Sequence, residues 1–482
     1  MNKRLTKRYP SPNIPETIQV SPQIAIQEFF ENQTPIKPPK LLDINDVSPD
    51  PEGIIELAEN GSWEKVAKLS RILSLKNKDS PVNFLKYKLC QLQALKKSNN
   101  KQKINAILEK IGNLDRPKYR YEYYPKTYPN KKGSMVPFSL RVFSSENYHS
   151  IGKTQETISQ LYLLHSKCVR EIELCRTFIK NFSKKNKKKE EQEEEEEEED
   201  QENENENETQ KQKEKEKQTE KEKEKMGETL DIINSYEKQF SENYSPIVKS
   251  SQYHFQKKIN SKTIRLIFDG YDIDIFEFET IEEAAKMEKI LKIRGQWMLF
   301  SLTNYHLIEG NVELVSRHLT EIYEQFPKDP VIISMIGRVH LRIGDLVTSN
   351  KMFRKVEELT SKNSFYSKLN SAYSKIHEHE YKGAFSIFKE LYEKDPNDHL
   401  IINNYSIILL YQANVEKAIQ ILEDFIRRNP RKNLSNVIAR NLCIFYRLSF
   451  KNFQYKILVL ENISKIYHPS NFDYTIFNEF LK

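Results

Sequence analysis

The sequence predicts an all-α protein built from stacked helix–turn–helix repeats, on the strength of three observations. Glycine is scarce, at 12 of 482 residues, while Lys, Glu, Leu and Ile are abundant, which favours helices over strands. Apolar residues recur at spacings of three and four along most of the chain, as on one face of a helix. Finally, one pattern returns four times between about residues 295 and 430, at a period that suits a pair of helices.

The repeated pattern aligns on a turn position that is occupied in succession by Gly310, Gly344, His379 and Ala413, at spacings of 34, 35 and 34 residues. Slim or large apolar residues follow each turn at three fixed offsets: Val315, Ser349, Ala384 and Ala418; then Leu319, Phe353, Phe388 and Leu422; then Ile322, Val356, Leu391 and Phe425. Three copies end at a proline, namely Pro327, Pro396 or Pro430. This combination is typical of the tetratricopeptide repeat, and the alternative is a non-repetitive helical bundle.

We therefore assign residues 291–482 to tetratricopeptide repeats and a C-terminal cap. The residues expected to pack these repeats are Gly310, Gly344, Phe353, Ala384, Phe388, Ala418 and Leu422. A solenoid of this type buries its core only by stacking neighbouring hairpins, and it leaves a long surface for binding other proteins.

The N-terminal part divides into a tail and a set of helical hairpins. Residues 1–48 are rich in proline and poor in large apolar clusters, which predicts a disordered tail with room for a short linear motif near residues 24–30. Residues 49–180 are predicted to form helical hairpins, because the spacing of three and four returns on both sides of turns near Gly61, residues 98–103 and Gly152.

A segment rich in tyrosine and proline, residues 112–139, interrupts these hairpins. Its prolines and glycines exclude a helix, whereas its five closely spaced tyrosines favour burial, so we predict a long ordered loop. Such a loop could brace the repeats from inside or bind a partner, and the sequence favours neither. The residues predicted to contact a partner are Tyr121, Glu122, Tyr123, Tyr124, Pro125, Tyr128, Met135 and Phe138.

The middle of the chain has a different composition. Residues 181–228 alternate blocks of lysine and glutamate, which cannot form a core and predict a disordered charged insertion, although a charged helix is the alternative. Residues 229–290 read as a connector, with a possible β-hairpin at residues 264–278 around Asp269 and Gly270. The net charge of +7 therefore conceals an acidic insertion within a more basic chain. This balance could favour an acidic partner or membrane surface, and the alternative is a solenoid that simply carries lysine-rich outer faces.

The sequence shows no motif that indicates catalysis or cofactor binding. His377 and His379 lie two residues apart, a spacing that points them to different sides of a helix and does not suit zinc. The basic pairs around Pro430 (Arg427, Arg428, Arg431 and Lys432) lack interleaved aromatic residues for nucleic-acid binding. The sequence contains no run of about 18 apolar residues, so it does not predict a membrane-spanning helix. We expect no cofactor, no metal and no nucleic-acid partner.

The tyrosine-proline segment also resembles the signature of one family. The matching residues are Gly112-Asn-Leu-Asp, Pro117, Tyr119, Tyr121-Glu-Tyr-Tyr-Pro, Tyr128-Pro, Gly133-Ser-Met-Val-Pro-Phe-Ser and Arg141. Together with Ile336-Gly337-Arg338 in the repeats, they make the chain similar to the subunit 12 family of the trafficking protein particle (TRAPP) complex. The resemblance covers about residues 50–180 and 285–482, and the charged insertion and connector depart from it.

This resemblance implies a non-catalytic scaffold subunit of a multisubunit vesicle-tethering complex in ER-to-Golgi transport and autophagy. Its partners would be the other subunits of the complex, with an indirect link to a Rab-type GTPase. The implied location is the cytoplasm, with peripheral association with membranes of the Golgi or the ER–Golgi intermediate compartment. Some members of the family are also tied to kinetochore assembly.

The alternative function is a free-standing tetratricopeptide adaptor or cochaperone. Cochaperones of this type use lysine and asparagine on first helices to hold a C-terminal carboxylate. Here Asn304 is present, but Phe300 stands where the first lysine should be, so the sequence disfavours this alternative.

Overall fold

The computed structural model of the chain describes residues 20–31, 33–38, 40–129, 131–200, 264, 267–268, 278, 280–468 and 472–481, with side chains in 183–200 excepted. These residues form 19 α-helices, three short 3-10 turns and no named strand. The predicted all-α class with helix–turn–helix repeats and a long ordered loop is therefore confirmed. Two compact units are distinguished: a large unit, Leu42–His379, and a terminal unit formed by Glu380–Lys482 with the described residues of the first 41.

In the large unit, each helix packs against the next one along the chain, from α2 to α12. The helices are α2 (Pro51–Asn60), α3 (Trp63–Lys76), α4 (Pro81–Lys97), α5 (Lys101–Ile111), α6 (Phe138–Ser150), α7 (Thr154–Asp200), α8 (Ile281–Ile308), α9 (Val312–Gln325), α10 (Pro330–Ile343), α11 (Leu346–Leu359) and α12 (Phe365–His377). This order is the stacking of antiparallel hairpins expected of a repeat protein.

The terminal unit contains the remaining helices. They are α1 (Pro22–Phe30), α13 (Tyr381–Lys394), α14 (His399–Tyr411), α15 (Val415–Arg428), α16 (Pro430–Asn433), α17 (Asn436–Ser449), α18 (Phe453–Tyr467) and α19 (Thr475–Leu481). Helices α13, α14, α15, α17 and α18 pack in sequence, and α19 covers α17 and α18. Helix α1 lies on α18 and also contacts α15.

The hairpin turns share one backbone conformation. All four predicted turn residues have a left-handed φ: 75° at Gly310, 89° at Gly344, 62° at His379 and 60° at Ala413. The three N-terminal hairpins repeat it at Gly61, Asn99 and Gly152. The N–H of the next residue donates to the carbonyl five positions earlier, at 2.8–3.0 Å, after Gly61, Asn99, Gly152, Gly310, Gly344 and Ala413. This is the Schellman ending of a helix, and it explains why the period read from the sequence locates the turns.

The repeat positions read from the sequence are buried. Side chains at the first and third offsets after each turn are all at most 4 % exposed. Those at the first offset are Val315, Ser349, Ala384 and Ala418, and those at the third are Ile322, Val356, Leu391 and Phe425. Gly337 adds a contact that the repeat pattern did not include. A Cβ on this residue would lie 2.6 Å from Cε1 of Phe353, so only glycine allows α10 and α11 to approach this closely.

The predicted disordered tail contains an ordered helix within its described residues. Ser21 caps α1 and Pro22 occupies its first turn, which is a favourable start for a helix. Phe29 and Phe30 are at most 3 % exposed. Arg427 donates from Nε to the Phe29 carbonyl oxygen at 2.6 Å. The tail prediction is wrong at these residues because the apolar surface that buries them belongs to the end of the chain.

The middle of the chain is described only in part. Helix α7 continues to Asp200, so the first residues of the charged insertion extend a helix, and residues 201–263 lie outside the described part. Most of the predicted hairpin at 264–278 also lies outside it. Ile264 and Ile267 are described, and they are helical and buried in the core around α2–α5 rather than extended.

Candidate protein-interaction surface

The tyrosine-proline loop leaves α5 at Gly112, where φ is +68°, and enters α6 at Phe138. Two 3-10 turns, Pro117–Tyr119 and Tyr121–Tyr123, shape its first half. The second half folds back on them through paired backbone hydrogen bonds. The Met135 N–H donates to the Tyr119 carbonyl at 2.8 Å, and the Tyr121 N–H donates to the Gly133 carbonyl at 3.0 Å. The loop is therefore a closed, ordered structure.

The inner side of the loop belongs to the core. Tyr119, Tyr121, Met135 and Val136 are at most 8 % exposed and join the apolar cluster of α2–α6. The Tyr119 hydroxyl donates to the carbonyl of Ile111, at the end of α5, at 3.1 Å. A buried phenol needs such a partner, so this bond fixes the loop to the helix that precedes it. This part of the loop acts as the brace considered from the sequence.

Phe138 is also internal, but it joins the next cluster along the chain. It is 2 % exposed, and its ring centroid lies 6.0 Å from that of Trp297 on α8. The guanidinium carbon of Arg294, also on α8, lies 4.7 Å from the same centroid. Burial therefore removes three of the eight predicted contact residues from the surface of the large unit, namely Tyr121, Met135 and Phe138.

Two charged side chains stabilise the shape of the loop. Arg141 donates from Nη1 to Oδ1 of Asp115 at 2.7 Å and from Nη2 to Oγ of Ser134 at 3.0 Å, which ties both halves to α6. Oε1 of Glu122 accepts hydrogen bonds from Nη2 of Arg120 at 2.8 Å and from the Gly133 N–H at 3.0 Å. Some loss of solvation opposes ionisation of the Glu122 carboxyl, but the hydrogen bonds from Arg120 and from the backbone N–H groups of Glu122 and Gly133 outweigh it and lower the pKa of Glu122.

The outer side of the loop presents aromatic area to solvent. Tyr123 is 60 % exposed, and its ring packs edge-on against half-buried Tyr124, with centroids 5.1 Å apart. Pro125 and Glu122 are exposed beside this pair, and Tyr128 is half-buried against Tyr121. Tyrosine is common at the centre of protein interfaces, and here its position is fixed by an ordered backbone. The structure thus separates a bracing side from an exposed side.

The predicted repeat-packing residues divide into two types. Phe353, Ala384, Phe388, Ala418 and Leu422 are buried, the last four at 0 % exposure. Gly310 and Gly344 lie in turns where an added Cβ would meet nothing within 4 Å, so their contribution is the left-handed backbone conformation rather than close packing.

A polar cluster that sequence reasoning missed lies where α7, α8 and α9 meet. Oη of Tyr162 is 3.0 Å from Nε2 of His306 and 2.8 Å from Nε2 of His318. Burial, followed by the nearby positive charges of His306, His165 and Arg317, lowers the pKa of His318 to about 4. The members are separated by 144 and 156 residues along the chain, so no local motif could indicate them.

The basic residues near Pro430 do not form the surface patch considered from the sequence. Arg427 is 7 % exposed and pairs with Glu423, Asp424 and Glu31, so it does not belong to a surface basic patch with Arg428. Within the described ranges, no group of three or more His, Cys, Asp and Glu residues could hold a metal ion. Among the described helices, none combines the length and apolar character needed to cross a membrane.

Comparisons with known proteins bear on the family resemblance. No protein-family model matches the chain. A crystal structure of yeast Tom70 aligns with 87 % of this chain and 89 % of its own at 12 % identity, but the TM-score of 0.24 is too low to support an argument. The chain is 23 % identical over 370 residues to trafficking protein particle complex subunit 12 of Homo sapiens, covering 75 % of this chain and 38 % of that protein.

The Mus musculus protein of the same name is 24 % identical over 370 residues, covering 75 % of this chain and 35 % of that protein. The chain therefore spans little more than a third of the length of the curated relatives it matches. The resemblance inferred from the tyrosine-proline segment is confirmed: across three quarters of its length, this chain is similar to subunit 12 of the trafficking protein particle complex.

Proposed function

We propose that the chain is a non-catalytic scaffold subunit of a TRAPP-type vesicle-tethering complex, acting in ER-to-Golgi transport and autophagy through protein–protein contacts. The similarity to subunit 12 over 370 residues is the observation that carries this proposal. The fold supports it, because stacked helical hairpins provide a preformed surface that loses little freedom on binding.

The contact surface that we propose is the exposed side of the tyrosine-proline loop. Tyr123 would be its centre, with Tyr124, Tyr128, Pro125 and Glu122 around it. The buried residues of the loop, Tyr121, Met135 and Phe138, would support this surface from inside. The hydrogen bonds of Glu122 and Arg141 keep the loop in one shape, which reduces the entropy lost when a partner binds.

The partners would be the other subunits of the tethering complex, with a Rab-type GTPase linked only through them. We propose a cytoplasmic protein that reaches membranes of the Golgi or the ER–Golgi intermediate compartment as part of this assembly. Fluorescence imaging would test this location, with the expectation that the tagged chain leaves these membranes when the complex is depleted. A tagged chain that keeps its membrane position without the complex would contradict a purely peripheral attachment.

The test of the contact surface is affinity purification of the tagged chain followed by identification of the proteins that elute with it. We expect Tyr123→Ala to reduce recovery of the tethering subunits, because it removes an exposed aromatic anchor while leaving the core intact. Tyr411→Ala is the matched control, since Tyr411 is a tyrosine of similar exposure, 59 % against 60 %. Equal recovery with both variants would reject Tyr123 as a contact.

The same affinity purification distinguishes the tethering function from the cochaperone alternative. Recovery of a chaperone without tethering subunits would favour it. At the position where a carboxylate clamp would be sought, Phe300 and Asn304 are only 4 % and 8 % exposed, so their side chains face the core of the large unit instead of a binding wall.

A further inference from the structure

A groove with a basic rim lies beside the bracing side of the tyrosine-proline loop, entirely within the large unit. It has a volume of about 440 Å³ and is bounded by the end of α3, by α4 and α5, and by the first half of the loop. Four lysines contribute to its lining, namely Lys78, Lys88, Lys110 and Lys118. These come from four different parts of the chain, so the fold is what gathers them.

The groove has apolar and aromatic residues between the lysines. Phe84 and Ile107 are half-buried there, and Tyr124 contributes its ring from the loop. Tyr124 also contacts the exposed Tyr123, so the groove begins directly beside the exposed aromatic pair. An apolar side chain that entered the groove would lose its contact with water, which favours binding.

The lysines lack acidic partners among the described residues. Nζ of Lys88 donates to the side-chain amide oxygen of Gln91 at 3.1 Å and lies 5.6 Å from the centroid of the Phe84 ring. Nζ of Lys118 lies 4.8 Å from the centroid of the Tyr119 ring. No ion pair joins any of the four to a described carboxylate. Burial, followed by the positive charges of Arg71 and Lys110, lowers the pKa of Lys88, which agrees with an excess of positive charge here.

We propose that this groove binds an acidic segment of a partner protein that carries an aromatic or aliphatic side chain. The carboxylates would neutralise the lysines, and the apolar side chain would pack between Phe84 and Ile107. This inference deepens the proposed scaffold function and rests on it only in taking the partner to be a protein. It does not depend on which complex supplies that partner.

The geometry favours a peptide over nucleic acid. Lys88 and Lys118 lie near the rings of Phe84 and Tyr119, and Tyr119 is itself only 5 % exposed. Bases would need free aromatic faces for stacking, as in proteins that bind single strands. The groove instead offers separated charges around a small apolar space, which suits a carboxylate-rich segment with one anchor.

The test measures binding of synthetic peptides to the purified full chain by fluorescence anisotropy. The main probe is an acidic peptide with one central phenylalanine. A neutral analogue replaces its carboxylates by amides, and an anchor-free analogue replaces the phenylalanine by serine. We expect each analogue to bind at least about tenfold more weakly, and we expect the affinity of the main probe to fall as salt is raised, because the lysine rim is accessible to solvent.

Variants of the chain locate the binding. The double variant Lys88→Glu and Lys110→Glu should weaken the main probe by at least about tenfold. Lys101→Glu with Lys103→Glu is the matched control, because these exposed lysines lie on α5 outside the groove. If the first variant loses its helical circular dichroism, Lys88→Gln with Lys110→Gln provides the same test with a smaller change of charge.

Four outcomes would overturn the proposal. The neutral analogue could bind as well as the main probe, or the control variant could lose as much affinity as the groove variant. The anchor-free peptide could bind equally, which would indicate a general electrostatic surface. A single-stranded oligonucleotide could bind more tightly than the acidic peptide, which would indicate another class of partner. Failure here, with tethering subunits still recovered in the purification of the tagged chain, would leave the proposed scaffold function intact.

Discussion

The three N-terminal hairpins and the four tetratricopeptide repeats use the same turn but complete their cores by different means. In the repeats, side chains at fixed offsets from each turn fill the space, as Ala384 and Phe388 do on α13. In the N-terminal hairpins, the loop between α5 and α6 contributes Tyr119 and Met135 to the core. A shared turn therefore fixes the hairpin, whereas the filling of the core can come from repeated positions or from an inserted segment.

The largest expected effects test whether core residues of the repeats and core residues of the loop contribute equally to stability. We expect Phe388→Ala to reduce the free energy of unfolding by about 3–5 kcal/mol and Met135→Ala by about 2–5 kcal/mol, because both side chains are fully buried. Urea denaturation followed by circular dichroism measures both. Tyr123→Ala, at an exposed position of the same loop, should change stability by no more than about 0.5 kcal/mol. If Met135→Ala behaves like Tyr123→Ala, the loop is not part of the core.

The second prediction concerns the close approach of two helices in the repeats. Alanine normally stabilises a helix relative to glycine by about 0.5–1 kcal/mol. At residue 337, the new Cβ would lie 2.6 Å from Cε1 of Phe353, so we expect Gly337→Ala to destabilise the chain by about 1–3 kcal/mol. The coupling between residues 337 and 353 can be measured by thermal unfolding of three variants. These are Gly337→Ala, Phe353→Leu and the double variant that combines them. Simple addition of the two single effects would show that the ring is not the obstacle.

The third prediction addresses the junction between the two regions, where α7 meets α8 and α9 through the Tyr162 cluster. Because the pKa of His318 is about 4 in the folded chain and 6.5 at its ordinary value, the unfolded state binds more protons between these values. Stability should therefore be complete above about pH 6.5 and fall on acidification, by at most about 1.4 kcal/mol per pH unit for this histidine.

Urea midpoints at about pH 7.5 and about pH 5 would measure this dependence. The variant His318→Phe should show a smaller difference between the two midpoints, because its side chain does not titrate. An unchanged difference would assign the acid sensitivity to other groups, such as His306, whose pKa is also lowered by burial.

Smaller effects are expected at the turns, whose left-handed conformation is common to both regions. Ala413 adopts φ 60° without being glycine, so Ala413→Gly should raise stability by about 0.5–1 kcal/mol through relief of left-handed strain. Gly344→Ala should have the opposite sign and cost about 1–2 kcal/mol. Thermal midpoints would show both changes. A loss of stability in Ala413→Gly would mean that its methyl group makes contacts that outweigh the strain.

The sequence predicts well those parts of the fold whose signals are local and repeated. The spacing of the turns located four left-handed residues, including His379 and Ala413, which differ from glycine but stand in the same phase. The composition of the loop left a brace and a contact surface as alternatives. Tyr119 is buried like a brace, whereas Tyr123 is exposed and its role as a contact remains a prediction. Periodicity alone could not make that division, because the tyrosines do not follow a helical or strand spacing.

Features that depend on distant partners could not be predicted in this way. Arg427 looks like part of a basic cluster in the sequence, but its side chain is buried against α1, where it donates to the carbonyl oxygen of Phe29. The cluster of Tyr162, His306 and His318 likewise needs three helices to be in place. In each case the partner lies far along the chain, so neighbouring residues carry no sign of it.

The placement of α1 has a consequence for how the chain is made. Phe29 and Arg427 are 398 residues apart, so the helix leaves the ribosome long before the surface that buries it. At a synthesis rate of about 5–20 residues per second, the interval is roughly 20–80 s. During that time two adjacent phenylalanines have no native site to occupy. Completion of the terminal unit must then wait until α15 and α18, the helices that contact α1, have also left the ribosome.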